Sequence, residues 1–439
     1  MKKILSAVFY LLLISAVLFA NGVADTQDKD TGSITYACGS WYEGYFDNFE
    51  KFNGYDLIER FEEQSGIDVN VEFYPYQELL QILEVRMQAK SDTLDVLSVD
   101  APLTASYAAR GYIKALDISK EDLEKEFFEA PVNMAMWNGK VYDIPFENSS
   151  CVMIINKKIF KDAGVEMPSA DVNSRWTWEQ VVDASVKIKE KTGGNKWGFA
   201  IASANQPYSM LPLPQSLGAG SGVSPDGMEV AGYLDNDGWK KALKWWNDVV
   251  NVKKIVPRGA DSNEGPLLFA AGQVAMLITG TWDIPMAEAA KEESGLDFAV
   301  VPYPYFEGGT PVTPTNSWHL AISPYSKNAT GAQSFIDYMT SSETMTDWVN
   351  GTGQLASHIA AKQAILTNEK YESFPYDAYR NIVLYEMENT AQTRPVTPFY
   401  LEWSDAVQKL FEDVSAGESV DKSLERAIDI IERAAERYK

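Results

Sequence analysis

Two lysines, Lys2 and Lys3, stand at the start of the chain, followed by an apolar run from Ile4 to Ala20 before polarity returns at Asn21. Positive charge, then an apolar stretch, then small residues (Ala20-Asn21-Gly22 and Gly22-Val23-Ala24) is the order an export signal needs, so residues 1–24 are expected to be a cleaved signal peptide. A retained anchor is the competing reading, because the run falls only slightly short of the roughly 20 residues that span a bilayer. No cysteine closes the run, so the usual lipid-attachment site is missing and the mature protein is expected free in solution, in a periplasm or at the outer cell surface.

Beyond the leader, the apolar spacing alternates between two periods. Ser33 to Cys38 reads as a strand, with Gly39-Ser40-Trp41-Tyr42 as the loop after it. Tyr55 to Gln64 is helical, placing Leu57, Ile58 and Phe61 on one face, and Gly66 is its stop. Val69, Val71 and Phe73 alternate with polar residues as in a strand; Gln77 to Lys90 is helical, and Leu94 to Val99 is a buried strand ending at Asp100. This alternation predicts an α/β lobe with largely parallel pairing.

Asn138 to Phe146 is a turn entering a strand, and the polar Glu147-Asn148-Ser149-Ser150 separates it from a second strand, Cys151 to Ile155. Such a break suits a crossing between lobes. Thr177-Trp178-Glu179-Gln180 has the form of a capping box. Asp237 to Val252 and Gly265 to Ala271 read as helices and Ala275 to Ile278 as a strand. Phe298 to Ile322 reads as strand, loop and strand, and its Gly/Pro/Thr-rich loop suits a second crossing. Ala329 to Met339, Glu343 to Val349, Leu401 to Val414 and Val420 to Tyr438 are helical.

Length adds that 439 residues exceed what one hydrophobic core organises, so two or more lobes are expected. The net charge of -24, about -26 once Lys2 and Lys3 are removed with the leader, makes a surface that repels nucleic acid and anionic lipid. Cys38 and Cys151 are too few for a disulfide scaffold, and two separate buried thiols are expected, although export permits one disulfide. His319 and His358 are too few and too scattered for a zinc site, and no metal or cofactor is expected. Aromatic residues make 12% of the chain, and several cluster with Gly, Pro and Asn. Rings of that kind stack on the C–H faces of sugars while nearby amides and carboxylates bind hydroxyls, although many simply fill cores.

A glycosidase would need two placed carboxylates, for which Asp95, Asp100, Glu147, Asp283 and Glu402 are available. In so acidic a chain such pairs arise by chance, and no Gly-x-Ser-x-Gly, His-Glu-x-x-His or phosphate-cradling loop is present. A secreted carbohydrate-active enzyme therefore stays an alternative without a specific motif.

Phe269 to Trp282, reading FAAGQVAMLITGTW, resembles the most recognisable motif of the family 1 extracellular solute-binding proteins. The segments Asn138–Phe146, Met153–Gly164, Trp176–Lys189, Ser317–Lys327 and Ala332–Ser341 resemble that family's further motifs in the same order. The resemblance implies a type II periplasmic-binding-protein fold, two α/β lobes joined by a multi-strand hinge and closing on a ligand. Lobe I is expected over 31–146 plus 318–375 and lobe II over 151–312 plus 376–439, with crossings near 147–150, 313–317 and 375. The implied function is capture of a sugar by a monomer that delivers it to the membrane-embedded permease of an ABC importer.

Site residues follow from the same resemblance. Trp282 matches the stacking tryptophan, with Gly280 allowing an unusual turn beneath it. Glu147 stands where relatives such as maltodextrin-binding proteins place a hydroxyl-binding glutamate, and Asp100 where the family often uses an acidic or aromatic ligand contact. Gln206-Pro207-Tyr208 resembles a Glu-Pro-Tyr, with Tyr208 available for stacking and Gln206 departing from the pattern. Trp41 and Tyr42 follow the first strand, Asn316 and Trp318 lie at the second crossing, and Tyr400 and Trp403 match a late aromatic position. A same-fold binder of another solute is the alternative. The chain shows no Tyr/His cluster for iron and no Arg/Lys cluster for phosphate, but carboxylates and aromatics enough for a polyamine.

Overall fold

The computed structural model describes residues 32–204, 206–258, 264–315 and 317–439. The expected signal peptide and Asn316 lie outside the described residues. In chain order the strands are β1 (Ser33–Gly39), β2 (Asp68–Tyr74), β3 (Val96–Asp100), β4 (Met136–Trp137), β5 (Lys140–Val141), β6 (Asp143–Asn148) and β7 (Cys151–Asn156). They continue with β8 (Trp197–Ile201), β9 (Val274–Gly280), β10 (Phe298–Val301), β11 (Thr313–Pro314), β12 (Ser317–Ile322) and β13 (Ala391–Gln392).

Two sheets organise the molecule, one of order β2-β1-β3-β12-β6 and one of order β10-β7-β9-β8. The sheet centres are dry. Every residue of β3, β6, β7 and β9 is buried, and β7 and β9 accordingly read as near-continuous apolar runs. Edge strand β2 has only exposed and half-buried positions instead.

Parallel pairing holds only in part. β1 pairs parallel with β2 and β3, and β8 with β9. β12 runs antiparallel to both β3 and β6, and β7 antiparallel to both β9 and β10. These antiparallel members arrive from the opposite sheet, not through a helical crossover on their own. Only Ser149 and Ser150 separate β6 in the first sheet from β7 in the second, because Glu147 and Asn148 continue the strand.

Local chemistry sets the helix ends. Asp56 accepts from the backbone N–H groups of Ile58 and Glu59, and Gly66 closes that helix at φ 74°. Thr177 and Gln180 form the expected capping box ahead of Trp178–Lys191. One element departs from the sequence reading: Trp41 begins a helix, Trp41–Asn53, where a loop is expected. Tyr42, Tyr45, Phe46 and Phe49 recur at helical spacing and put Tyr42 and Phe49 in the interior.

A short parallel ladder, β11 with β13, lies where the chain passes between the sheets. Beside it Arg175 and Glu386 form a fully buried ion pair at 2.8 Å. Arg175 also donates to the carbonyl of Tyr303 at 2.9 Å, and Thr313 Oγ1 donates to Glu386 at 2.9 Å. Among the described residues no helix is long and apolar enough to cross a membrane.

Candidate ligand cleft

At the end of β3, Asp100 receives a two-pronged contact from Arg394, Nη1 to Oδ2 at 2.9 Å and Nη2 to Oδ1. Asp100 belongs to the first sheet. Arg394 follows β13 on a segment held against second-sheet elements: Gln215 Nε2 donates to the Thr393 carbonyl at 3.1 Å, and the Val396 carbonyl lies against Gly227. The pair thus joins the two halves of the molecule. Tyr76 donates to Asp100 Oδ2 at 3.3 Å, and Arg394 Nη1 donates to the Tyr400 hydroxyl at 3.2 Å. The guanidinium carbon lies 5.5 Å from the Tyr208 ring centre and 5.8 Å from that of Tyr400, inside cation–π range. Both charges are buried, at 2% and 6% exposure, so their energy rests on mutual pairing and not on water.

This cluster forms one wall of a cavity of about 460 Å³. The helix Tyr76–Gln88 contributes Gln77 and Gln81 to it, Tyr400–Ala416 contributes Ser404 and Gln408, and Gln206 stands at its rim.

Two aromatic corners adjoin the cluster. Trp282 is 38% exposed and faces the Tyr208 ring at a centroid distance of 6.0 Å. The glycine below it has a different purpose from the one expected. Gly280 is ordinary extended backbone (φ -84°, ψ 166°), so no unusual turn is involved. The indole instead folds back over its Cα, where a Cβ would sit 2.1 Å from the ring. The same arrangement occurs at the end of β1, where a Cβ on Gly39 would sit 2.1 Å from the indole of Trp41. Trp41 is half-buried and packs on Trp318 at 5.0 Å and Tyr76 at 6.5 Å. Trp41, Trp318, Tyr76, Asp100, Arg394, Tyr208 and Trp282 therefore form one continuous strip of contacts running from the first sheet to the second.

The strip takes in five of the sequence-named residues, Trp41, Asp100, Tyr208, Trp282 and Trp318, and Tyr400 and Gln206 line the cavity beside it. Tyr208 is anchored through its hydroxyl, which lies 3.2 Å from Ser149 Oγ and 3.3 Å from Cys151 Sγ. Three others lie elsewhere. Tyr42 is fully buried and donates to Glu147 Oε2 at 2.9 Å. Glu147 itself is turned into the first half beside Phe146 and Trp348, away from the cavity; burial pushes its carboxyl up to about 8, hydrogen bonds from its neighbours only partly opposing this. Trp403 is fully buried behind Tyr400 at 5.6 Å. Asn316 falls outside the described residues.

Sequence reasoning missed Tyr76 and Arg394. A search for clustered Arg and Lys passes over a single arginine, and Asp100 is 294 positions away. Cys38 and Cys151 are separate buried thiols. Among the described residues no group of His, Cys, Asp and Glu is arranged to hold a metal ion.

Two α/β halves with a polar and aromatic cleft between them define a two-lobed binding protein of the type II periplasmic class. Residues 56–385 match the family model described as bacterial extracellular solute-binding protein, and the chain belongs to that family. Among curated relatives, the galactooligosaccharide-binding protein of Bacillus subtilis is 25% identical over 306 residues, covering 66% of this chain and 66% of that protein. The GacH receptor of Streptomyces glaucescens, solved unliganded and with acarbose, superposes with a TM-score of 0.76 at 22% identity, over 93% of this chain and 100% of that one. An ABC substrate-binding protein of Listeria monocytogenes in complex with cycloalternan gives 0.76 at 23% identity, over 92% and 99%.

Proposed function

We propose that the protein captures a sugar or oligosaccharide by closure of its two lobes and hands it to the permease of an ABC importer. One observation supports a neutral ligand with C–H faces above all. The exposed ring of Trp282 stands beside carboxylates that are engaged, Asp100 with Arg394 and Asp283 with Thr279 Oγ1, and of the further carboxylates lining the cavity Glu84 is paired with Arg110. A polyamine needs several carboxylates able to receive its ammonium groups, and this leaves it Asp405 of the cavity lining. The ligands of relatives and structural neighbours, galactooligosaccharide, acarbose and cycloalternan, agree with that chemistry.

In this reading lobe I comprises 31–146 plus 318–375 and lobe II 151–312 plus 376–439, with crossings near 147–150, 313–317 and 375. The protein works as an exported monomer after cleavage of residues 1–24. Hinge closure is driven by the ligand's tighter binding to the closed state.

Titration of intrinsic tryptophan emission with malto- and galactooligosaccharides, and in parallel with spermidine, tests the reading. A saturable response to a carbohydrate supports it; a response to spermidine alone overturns it. Trp282→Ala is expected to weaken carbohydrate binding at least about tenfold, ~1.4 kcal/mol, with the fold intact. Unchanged affinity would give Trp282 a packing role only. Gly280→Ala keeps the indole but denies it its seat over the strand end, and is expected to lose about as much.

A further inference from the structure

The surroundings of Arg394 are those of a receptor for an organic cation. A buried carboxylate, Asp100, accepts two parallel N–H bonds from the guanidinium. The rings of Tyr208 and Tyr400 stand at cation–π distance from it, 5.5 and 5.8 Å. The Tyr76 hydroxyl holds the carboxylate from a third side at 3.3 Å. A carboxylate fork with aromatic walls is how a free guanidinium or ammonium ligand is recognised. Here the cation is covalently part of the chain, and it borders a cavity through which a small solute has access.

We propose that Arg394 is a tethered cation: it fills a cage made by Tyr76, Asp100, Tyr208 and Tyr400, and so sets the cleft against free organic cations. The cage is a second recognition site within the cleft, occupied by the protein's own side chain. Removing that side chain leaves a buried carboxylate without its counter-charge and a space shaped for a monosubstituted guanidinium. The inference extends the neutral-ligand reading above, since Arg394 is what makes Asp100 unavailable, but its test requires no sugar.

The experiment compares thermal unfolding of the wild type, Arg394→Ala and the double variant Asp100→Asn/Arg394→Ala, each with methylguanidinium chloride and with methylurea, its uncharged isostere. Bound ligand raises the midpoint in proportion to RT ln(1 + [L]/Kd). Arg394→Ala is expected to melt below the wild type and to be restored by methylguanidinium but not by methylurea. Its apparent affinity for methylguanidinium should exceed that of the wild type and of the double variant by about tenfold or more. Equal responses from all three proteins, or none from Arg394→Ala, overturn the proposal. Should Arg394→Ala fail to fold alone, refolding with methylguanidinium must recover it, and Arg394→Gln must show the same selectivity; failure of both also overturns it. A wild type that binds no carbohydrate, beside an Arg394→Ala that selects methylguanidinium, sinks the sugar reading and leaves this one standing; the reverse outcome sinks only this one.

Discussion

Arg175→Ala is expected to lose about 3–5 kcal/mol of unfolding free energy, one of the largest single-residue effects the molecule offers. The cost comes from what is left behind. Glu386 has no exposed side-chain surface and Arg175 only 3%, so no solvent replaces the guanidinium at 2.8 Å. Hydroxyls of Thr313 and Thr390 still donate to the carboxylate, but they carry no charge. The loss should therefore show in urea unfolding as a lower midpoint at unchanged slope. Arg175→Ala/Glu386→Gln, which removes both charges, is expected to regain a substantial part of it. A single-variant loss below about 1 kcal/mol would place the pair in the weak, solvated class instead.

The second large effect concerns pH. Burial raises the Glu147 carboxyl from 4.5 to about 8 in the folded protein. A group whose folded value lies above its unfolded value favours the native state when protonated. Its contribution is complete below 4.5, declines as pH climbs from there, and is gone above about 8. The shift corresponds to roughly 5 kcal/mol across that window as an upper figure. Glu147→Gln keeps an acceptor for the Tyr42 hydroxyl and has no proton to lose. It is expected to match the wild type near about pH 4 and to be several kcal/mol more stable near about pH 9. Parallel stability–pH curves for the two proteins would show that Glu147 is ionised in the folded state.

These two sites also mark where the sequence is readable. The continuous apolar runs of β7 and β9 announce buried strands, and Thr177 with Gln180 announces a helix start, because each signal is local. Trp282 is legible for the same reason, although the purpose of Gly280 is not: backbone freedom and room for a ring give the same letter. The helix Trp41–Asn53 escapes because Gly39-Ser40 ahead of it and Gly44 within it are loop-forming letters, although Tyr42, Tyr45, Phe46 and Phe49 keep the helical period. Glu147 shows the limit of position as a guide to role. Near the hinge by number, it turns inward because Tyr42 offers its hydroxyl there. Arg394 and Asp100 form a pair only through tertiary folding, which no periodicity or spacing in a single chain encodes.

The packing of Trp41 on Trp318, with ring planes tilted by 51°, has an optical consequence. Two indoles 5.0 Å apart share their excited states, so the pair contributes an exciton couplet to the far-ultraviolet circular dichroism. A second pair, Trp178 and Trp245 at 5.1 Å in the other half, adds a couplet of its own, and the part lost in Trp318→Phe is the part that belongs to the first half.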